Sequence, residues 1–317
     1  MAGKPFVLAV AGATASGKSD LAMQLARQLD GEIVCMDSMQ IYRRMDIGTA
    51  KPTLEERTAV PHHMLDILEP SASYAVADYA VDAERVIQEI LKRGKLPILT
   101  GGTGLYLKAL MHGLSLGGAG SDEQLREQLN QQACQPGGKQ LLHERLRQVD
   151  PVSAAKFHPN DIRRVIRALE VFELTGKPIS EQKSEEADRP FVILPLAIDL
   201  PRNVLYERLE RRVHLMMEAG LLDEVRALVE SGITAQMQSM QGIGYKELIP
   251  VLEGSVRLAD AVRQIILNTR HYAKRQGTWL RTEPQTVWLH QVNDNRLEEA
   301  LGHIRRFRSE QKGVLEE

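Results

Sequence analysis

The stretch FVLAVAGATASGKSDLAMQLARQL, Phe6 to Leu29, decides the fold. Phe6 to Ala11 is a short apolar run closed by glycine and reads as a strand, while Leu21, Leu25, Ala26 and Leu29 fall on one helical face behind it. Between them Gly12, Ala13, Thr14, Ala15, Ser16, Gly17, Lys18 and Ser19 fit the phosphate-loop pattern G-x-x-x-x-G-K-[ST]. In such a loop the glycines let backbone N–H groups converge on an anion, the lysine adds charge, and the serine hydroxyl suits Mg²⁺. The strand before and the helix after are the context the pattern requires. These eight residues are therefore expected to hold a phosphate, with Ser19 as the metal ligand.

Further along, Glu32 to Met36 reads as a second strand ending at Asp37, Ala77 to Lys92 as a helix, and Leu96 to Thr100 as a third strand running into GGTGLYLKAL. Strands alternating with helices argue for a parallel sheet. Gly113 to Gly120 is a break, and Ser121 to Thr175 shows helical periodicity with almost no strand signal. A polar stretch, Ser184 to Arg189, leads into a return strand, Phe191 to Ile198, and from Pro201 the pattern is mostly helical. The expected fold is α/β: a phosphate-loop core with a parallel sheet flanked by helices, formed by residues 1–116 and 190–317, with a helical insertion over 117–189.

Composition bounds the function. The 317 residues are 43% apolar, enough for a full core, and the formal net charge of −2 leaves any nucleic-acid attraction to local patches. The two cysteines, Cys35 and Cys134, make no disulfide framework or metal-ligand spacing, which fits a reducing cytoplasm. No apolar run approaches the roughly 20 residues of a membrane span. No N-K-x-D motif is present, which argues against a GTPase switch. A small-molecule kinase stays open at this point, because DIRRVIRALE, from Asp161, has the form of an arginine-rich lid.

DSMQIYRRMDIGTAKP from Asp37 resembles the tRNA dimethylallyltransferases, also called tRNA isopentenyltransferases. PHHMLDI from Pro61, GGTGLYLKAL from Gly101, HPNDIRRVIRALEVFELTGKP from His158, QGIGYKEL from Gln241 and RHYAKRQGTWLR from Arg270 agree with it. Ala13 departs from the family's usual proline, at a variable position of the loop pattern. With no cysteine after Cys134, the chain resembles the bacterial form, without a C-terminal zinc finger. The resemblance implies transfer of a five-carbon group from dimethylallyl diphosphate to the exocyclic amine of the adenosine immediately 3′ of the tRNA anticodon. The loop would then hold a diphosphate that leaves, with Mg²⁺ as cofactor, and the enzyme is expected to act as a monomer. By the same resemblance the anticodon stem-loop would meet Asp37, Ser38, Met39, Gln40, Thr103, Arg126, Asp161, Ile162, Arg163, Arg164 and Val165. Gln241, Gly242, Ile243, Gly244, Tyr245, Lys246, Arg270, Lys274, Arg275 and Arg281 complete that surface.

The residues support this chemistry independently. An adenine amine is a weak nucleophile, so a carboxylate accepting its proton helps by roughly 10²- to 10⁴-fold. Asp37 ends a strand expected to neighbour the loop strand and suits that role; an N-cap or a water-mediated metal contact is the alternative. Charge developing on the leaving diphosphate calls for cations, and Lys18 and Arg212 are the candidates, with plain solvated helix charge the other reading of Arg212. Thr103 matches a family position beside the accepting adenosine, or caps the helix that begins there. From Asp260 to Arg281 a helical pattern sets Arg263, Arg270, Lys274, Arg275 and Arg281 mostly away from the apolar side, which is either a phosphate-contacting face or a solvated one. His62 and His63 are adjacent and lack the spacing for two metal ligands on one helical face.

Overall fold

The computed structural model describes residues 4–113, 120, 122–181, 189–290 and 295–313. The expected breaks at Gly113 to Gly120 and Ser184 to Arg189 lie largely outside them. By internal contact the chain divides into Met1–Met111 with Arg189–Glu317, and His112–Asp188.

The first unit is built on a six-stranded sheet: β1 (Phe6–Gly12), β2 (Gly31–Cys35), β3 (His62–His63), β4 (Leu96–Thr100), β5 (Val192–Asp199) and β6 (Val287–His290). Their order is β3-β2-β4-β1-β5-β6, and every pairing is parallel. Parallel strands covered on both faces read as unbroken apolar runs, and Val7, Leu8, Ala9 and Val10 of β1 are fully buried. Burial of each such leucine or valine contributes about 1.5–3 kcal/mol. One face packs Tyr79, Ile87, Tyr106 and Leu248; the other packs Leu21, Leu25, Leu289 and Ile304.

One expectation needs correction. β2 does not neighbour β1: β4 lies between them, pairing with both. The chain after Pro201 is mostly helical, as expected, with Val287–His290 adding an edge strand along β5. The parallel order still brings the carboxyl ends of β1, β2 and β4 to one edge, where ligands bind in open parallel sheets.

The second unit holds the helices Glu123–Cys134, Gly138–Val149, Pro151–Lys156 and Ile162–Thr175 around Leu129, Leu142, Leu146, Val165 and Leu169. Inside it Glu170 is wholly buried and takes Arg126 at 2.8 Å and Arg167 at 2.7 Å. It also accepts the Asp122 backbone N–H at 2.9 Å. A buried carboxylate needs such partners, so Arg126 is tied to this core rather than presented as a free cation for RNA.

Candidate active site

The loop after β1 turns through two left-handed residues, Ala15 (φ 63°) and Gly17 (φ 89°), before the helix Lys18–Leu29 begins. The Ser16 N–H donates to Ala13 O at 3.1 Å, closing the turn just ahead of the helix N-terminus, where an anion is favoured. The Lys18 ammonium bends back to Ala13 O at 3.4 Å, and Ser19 is exposed at the start of the helix. Two distant residues brace this loop. Gln276 Oε1 accepts the Thr14 N–H at 2.8 Å, and Arg296 Nη1 donates to Ser16 O at 3.2 Å.

Asp37 is placed by backbone stitching between β2 and β4. The Met36 N–H donates to Thr100 O at 2.7 Å, and the Thr103 N–H donates to Met36 O at 3.1 Å. A Cβ at Gly101 would stand 2.0 Å from Met36 O, so this crossing tolerates only glycine. Asp37 Oδ1 then accepts the Met39 N–H at 2.9 Å, an Asx turn and not a helix cap. Thr103 Oγ1 accepts the Ser38 N–H at 3.0 Å and lies 3.3 Å from Ser38 Oγ, while its carbonyl serves the helix Gly104–His112. Gln276 spans the two halves: its Nε2 donates to Gly102 O at 2.8 Å while Oε1 holds the phosphate loop.

These elements enclose a cavity of about 80 Å³ into which Thr14, Lys18, Ser19, Asp37, Arg212 and Gln276 project. Arg212 is thereby a site residue and not solvated helix charge, whereas its neighbour Arg211 is exposed. A second cavity, of about 240 Å³ and mostly apolar, lies against Gly102, Thr103 and Trp279, sharing Tyr272 and Gln276 with the first. Burial pushes the Lys18 ammonium down to about 8; the Arg212 charge adds to this and Asp37 opposes it. Arg212 is lowered by burial in the same way, again against the pull of Asp37. Burial and the Asp37 charge raise the Tyr272 phenol to about 12, so it stays a neutral donor. Two desolvated cations around one carboxylate form a site that an anion would stabilise.

The expected RNA-contacting residues fare unequally. Val165 is wholly buried in its helical core, so its side chain is not available to RNA, while Ile162 is half-buried against the same core. Arg163 is exposed, while Arg164 pairs with Asp161 at 3.0 Å and lies over Phe157. Tyr245 is 1% exposed and Gly242 and Gly244 are buried, which takes the middle of the 241–246 segment off the surface; Gln241 and Lys246 are exposed. Arg270 pairs with Glu210 at 2.7 Å and lies over Tyr206; Arg281 pairs with Asp199 at 3.6 Å and lies over Trp288. Lys274 and Arg275 are exposed, Arg275 over the Tyr272 ring. Met39 packs on the core, and Gln40 Nε2 is spent on Thr49 O and Ala50 O.

Sequence reasoning missed Tyr272, Gln276 and Arg296. A signal existed for Gln276: it is a polar residue on the buried stripe of Ile265, Ala273 and Leu280, where a glutamine needs partners. Arg296 had none.

The IPP transferase family model matches residues 40–283. The tRNA dimethylallyltransferase of Pelotomaculum thermopropionicum is 49% identical over 284 residues, 89% of this chain and 90% of that one. The tRNA dimethylallyltransferase 1 of Pelobacter propionicus is 50% identical over 287 residues, covering 90% and 92%. Among solved structures, the full-length tRNA isopentenylpyrophosphate transferase of Bacillus halodurans is similar with a TM-score of 0.74 and 41% identity, over 99% of this chain and 100% of that one. A eukaryotic dimethylallyltransferase acting on tRNA gives a TM-score of 0.83 at 32% identity, over 96% and 80%.

Proposed function

The chain belongs to the IPP transferase family, and from that premise we propose that it transfers the dimethylallyl group of dimethylallyl diphosphate to the N6 amine of the adenosine immediately 3′ of a tRNA anticodon. The carrying observation is a single cavity in which Lys18 and Arg212 face Asp37. The loop amides, Lys18 and Arg212 bind the diphosphate. As the allylic C–O bond lengthens, negative charge gathers on the departing oxygen, where these preorganised donors lower the barrier. Asp37 accepts the amine proton as the new C–N bond forms. With the Asp37 Oδ1 held by Met39, its second oxygen is left for the base. Thr103 and Ser38, already hydrogen-bonded to each other, flank that position.

Mg²⁺ suits this donor set. Among the described residues no group of three or more His, Cys, Asp or Glu forms a cage, and Mg²⁺ characteristically takes one or two protein oxygens plus substrate phosphates. Ser19 would hold it, with Asp37 across the same cavity. When bound it neutralises leaving-group charge. RNA binding would close the cavity to water, with the target base extruded from its stack. No described helix is long and apolar enough to cross a membrane. From the tRNA substrate of this reaction we place the enzyme in the cytoplasm, and we propose that it acts as a monomer.

The test is mass spectrometry of unmodified tRNA incubated with the enzyme, Mg²⁺ and dimethylallyl diphosphate, with an ATP-hydrolysis control. One five-carbon unit on a single adenosine is the expected result. Unmodified tRNA beside steady ATP turnover would replace this reading with a phosphotransferase.

A further inference from the structure

The carboxylate of Glu224, on the helix Leu221–Glu230, is occupied by a turn distant in sequence. Its Oε2 accepts the N–H groups of Asp46 and Ile47, both at 2.8 Å. Its Oε1 accepts the Gly48 N–H at 3.0 Å and the Tyr245 hydroxyl at 2.6 Å. Three consecutive amides converging on one anion make a nest whose anion is supplied by the protein itself. Tyr245 is buried, and burial together with the Glu224 charge raises its phenol, so it donates at neutral pH. A Cβ at Gly48 would stand 2.6 Å from the Tyr245 ring, so glycine lets the turn lie on that ring.

The pinned turn continues into a wall of the active-site cavity. Thr49 O and Ala50 O accept from Gln40 Nε2 at 3.0 and 3.2 Å, and Gln40, Thr49, Ala50 and Pro52 line the cavity that holds Lys18 and Asp37. The buried Lys51 head ties the same segment from beneath, donating to Tyr42 O at 2.5 Å and to Asp46 and Asp66 at 2.8 and 2.5 Å. The segment is thus held at both ends, by Lys51 from inside and by Glu224 from outside.

We propose that Glu224, oriented by Tyr245, is a positioning residue for the donor pocket: it fixes the 46–50 turn and through it the wall facing the phosphate loop. Tyr245 then serves the reaction through the donor and not as an RNA contact. This inference rests on the donor reading of that cavity. Removing the second carboxylate oxygen orphans part of the turn's amides, which must re-solvate and drag the wall with them.

The test compares wild type, Glu224→Gln and Tyr245→Phe for donor KM, kcat, Kd for an anticodon stem-loop RNA, and Tm. Glu224→Gln is expected to raise donor KM about 10-fold with kcat within about threefold and RNA Kd within about twofold; Tyr245→Phe should show the same pattern at about threefold. A lowered Tm with unchanged donor KM would reduce Glu224 to a structural role and overturn the proposal. A raised RNA Kd at unchanged donor KM would overturn it in favour of RNA contact. Should Glu224→Gln not fold, the Tyr245→Phe split decides alone. A wild-type enzyme that does not prenylate would take the donor reading down with it, whereas an active wild type beside variants of normal donor KM removes this inference only.

Discussion

The cations of the cavity and the cations of the Leu258–Arg281 helix are the same residue types in opposite circumstances. Lys18 and Arg212 are desolvated beside one another, lowered by burial, and among the described residues neither has an ion-pair partner. Arg263, Arg270 and Arg281 are each paired with a carboxylate, Asp260, Glu210 and Asp199 respectively. The loop motif already marks Lys18 as an anion ligand, whereas Arg212 and the helix face are open in sequence between a phosphate contact and solvated charge. Desolvation and pairing separate them. Two desolvated cations that share one carboxylate and form no ion pair are kept at a cost to stability and mark where an anion belongs, while a cation already in an ion pair gains little from one more.

The comparison predicts a hierarchy of effects. The largest falls on the carboxylate that the two unpaired cations face. Asp37→Asn keeps shape and most hydrogen bonding but loses the proton-accepting lone pair, so single-turnover prenylation of an anticodon stem-loop should slow by roughly 10²-fold or more at unchanged RNA affinity. Recovery of the rate by added Mg²⁺ would instead make Asp37 a metal ligand. Next is Gln276→Leu, which unties the phosphate loop from Gly102. A fall in kcat of about 10-fold is expected, because misplacing reacting groups by a fraction of an ångström is costly. A rate unchanged within twofold would show the two loops to be held without it.

The cations of the Leu258–Arg281 helix give smaller effects. Lys274→Ala, removing an exposed cation, should flatten the salt dependence of tRNA binding by up to about one unit of log-log slope. Arg270→Ala should show instead as lost thermal stability, since it frees Glu210 and uncovers Tyr206. An Arg270→Ala variant of normal Tm and reduced salt slope would erase the distinction between the groups. The smallest effect is in pH. Folding lowers Lys18 from 10.5 to about 8, so the unfolded chain holds more protons between those values and stability rises with pH across that window. The penalty is full below pH 8 and is relieved toward 10.5. Lys18→Met should therefore exceed wild type in Tm most clearly below pH 8, the gap closing as pH rises; a constant gap would mean Lys18 is not desolvated.

What the sequence revealed of all this follows the range of the interactions. β1, β4 and β5 were legible because a covered parallel strand is an apolar run, and the phosphate loop because its conformation is written in adjacent residues. β3, two residues long, and β6, four residues, exist through pairing with β2 and β5 and leave no periodicity to read. The position of β4 between β1 and β2 is likewise a tertiary fact with no local signal. In the site, Lys18, Asp37 and Thr103 could be named from local motifs, with Arg212 among the helix cations. Gln276 and Glu224 act at separations of 262 and 178 residues from the groups they hold, and only coordinates show that. Tyr245 and Val165 lie in motifs whose resemblance implies RNA contact, but a motif does not encode burial, and both belong to cores.

The central claim is that the unpaired cations of the cavity await a diphosphate. It is tested most directly by titrating inorganic pyrophosphate, with Mg²⁺, and separately an anticodon stem-loop RNA into wild type and Lys18→Ala by calorimetry. Loss of one desolvated charge–charge contact predicts a fall in pyrophosphate affinity of about 10-fold or more, with RNA affinity changed by less than about threefold. Equal pyrophosphate binding by the two proteins, or a loss confined to the RNA, would contradict it.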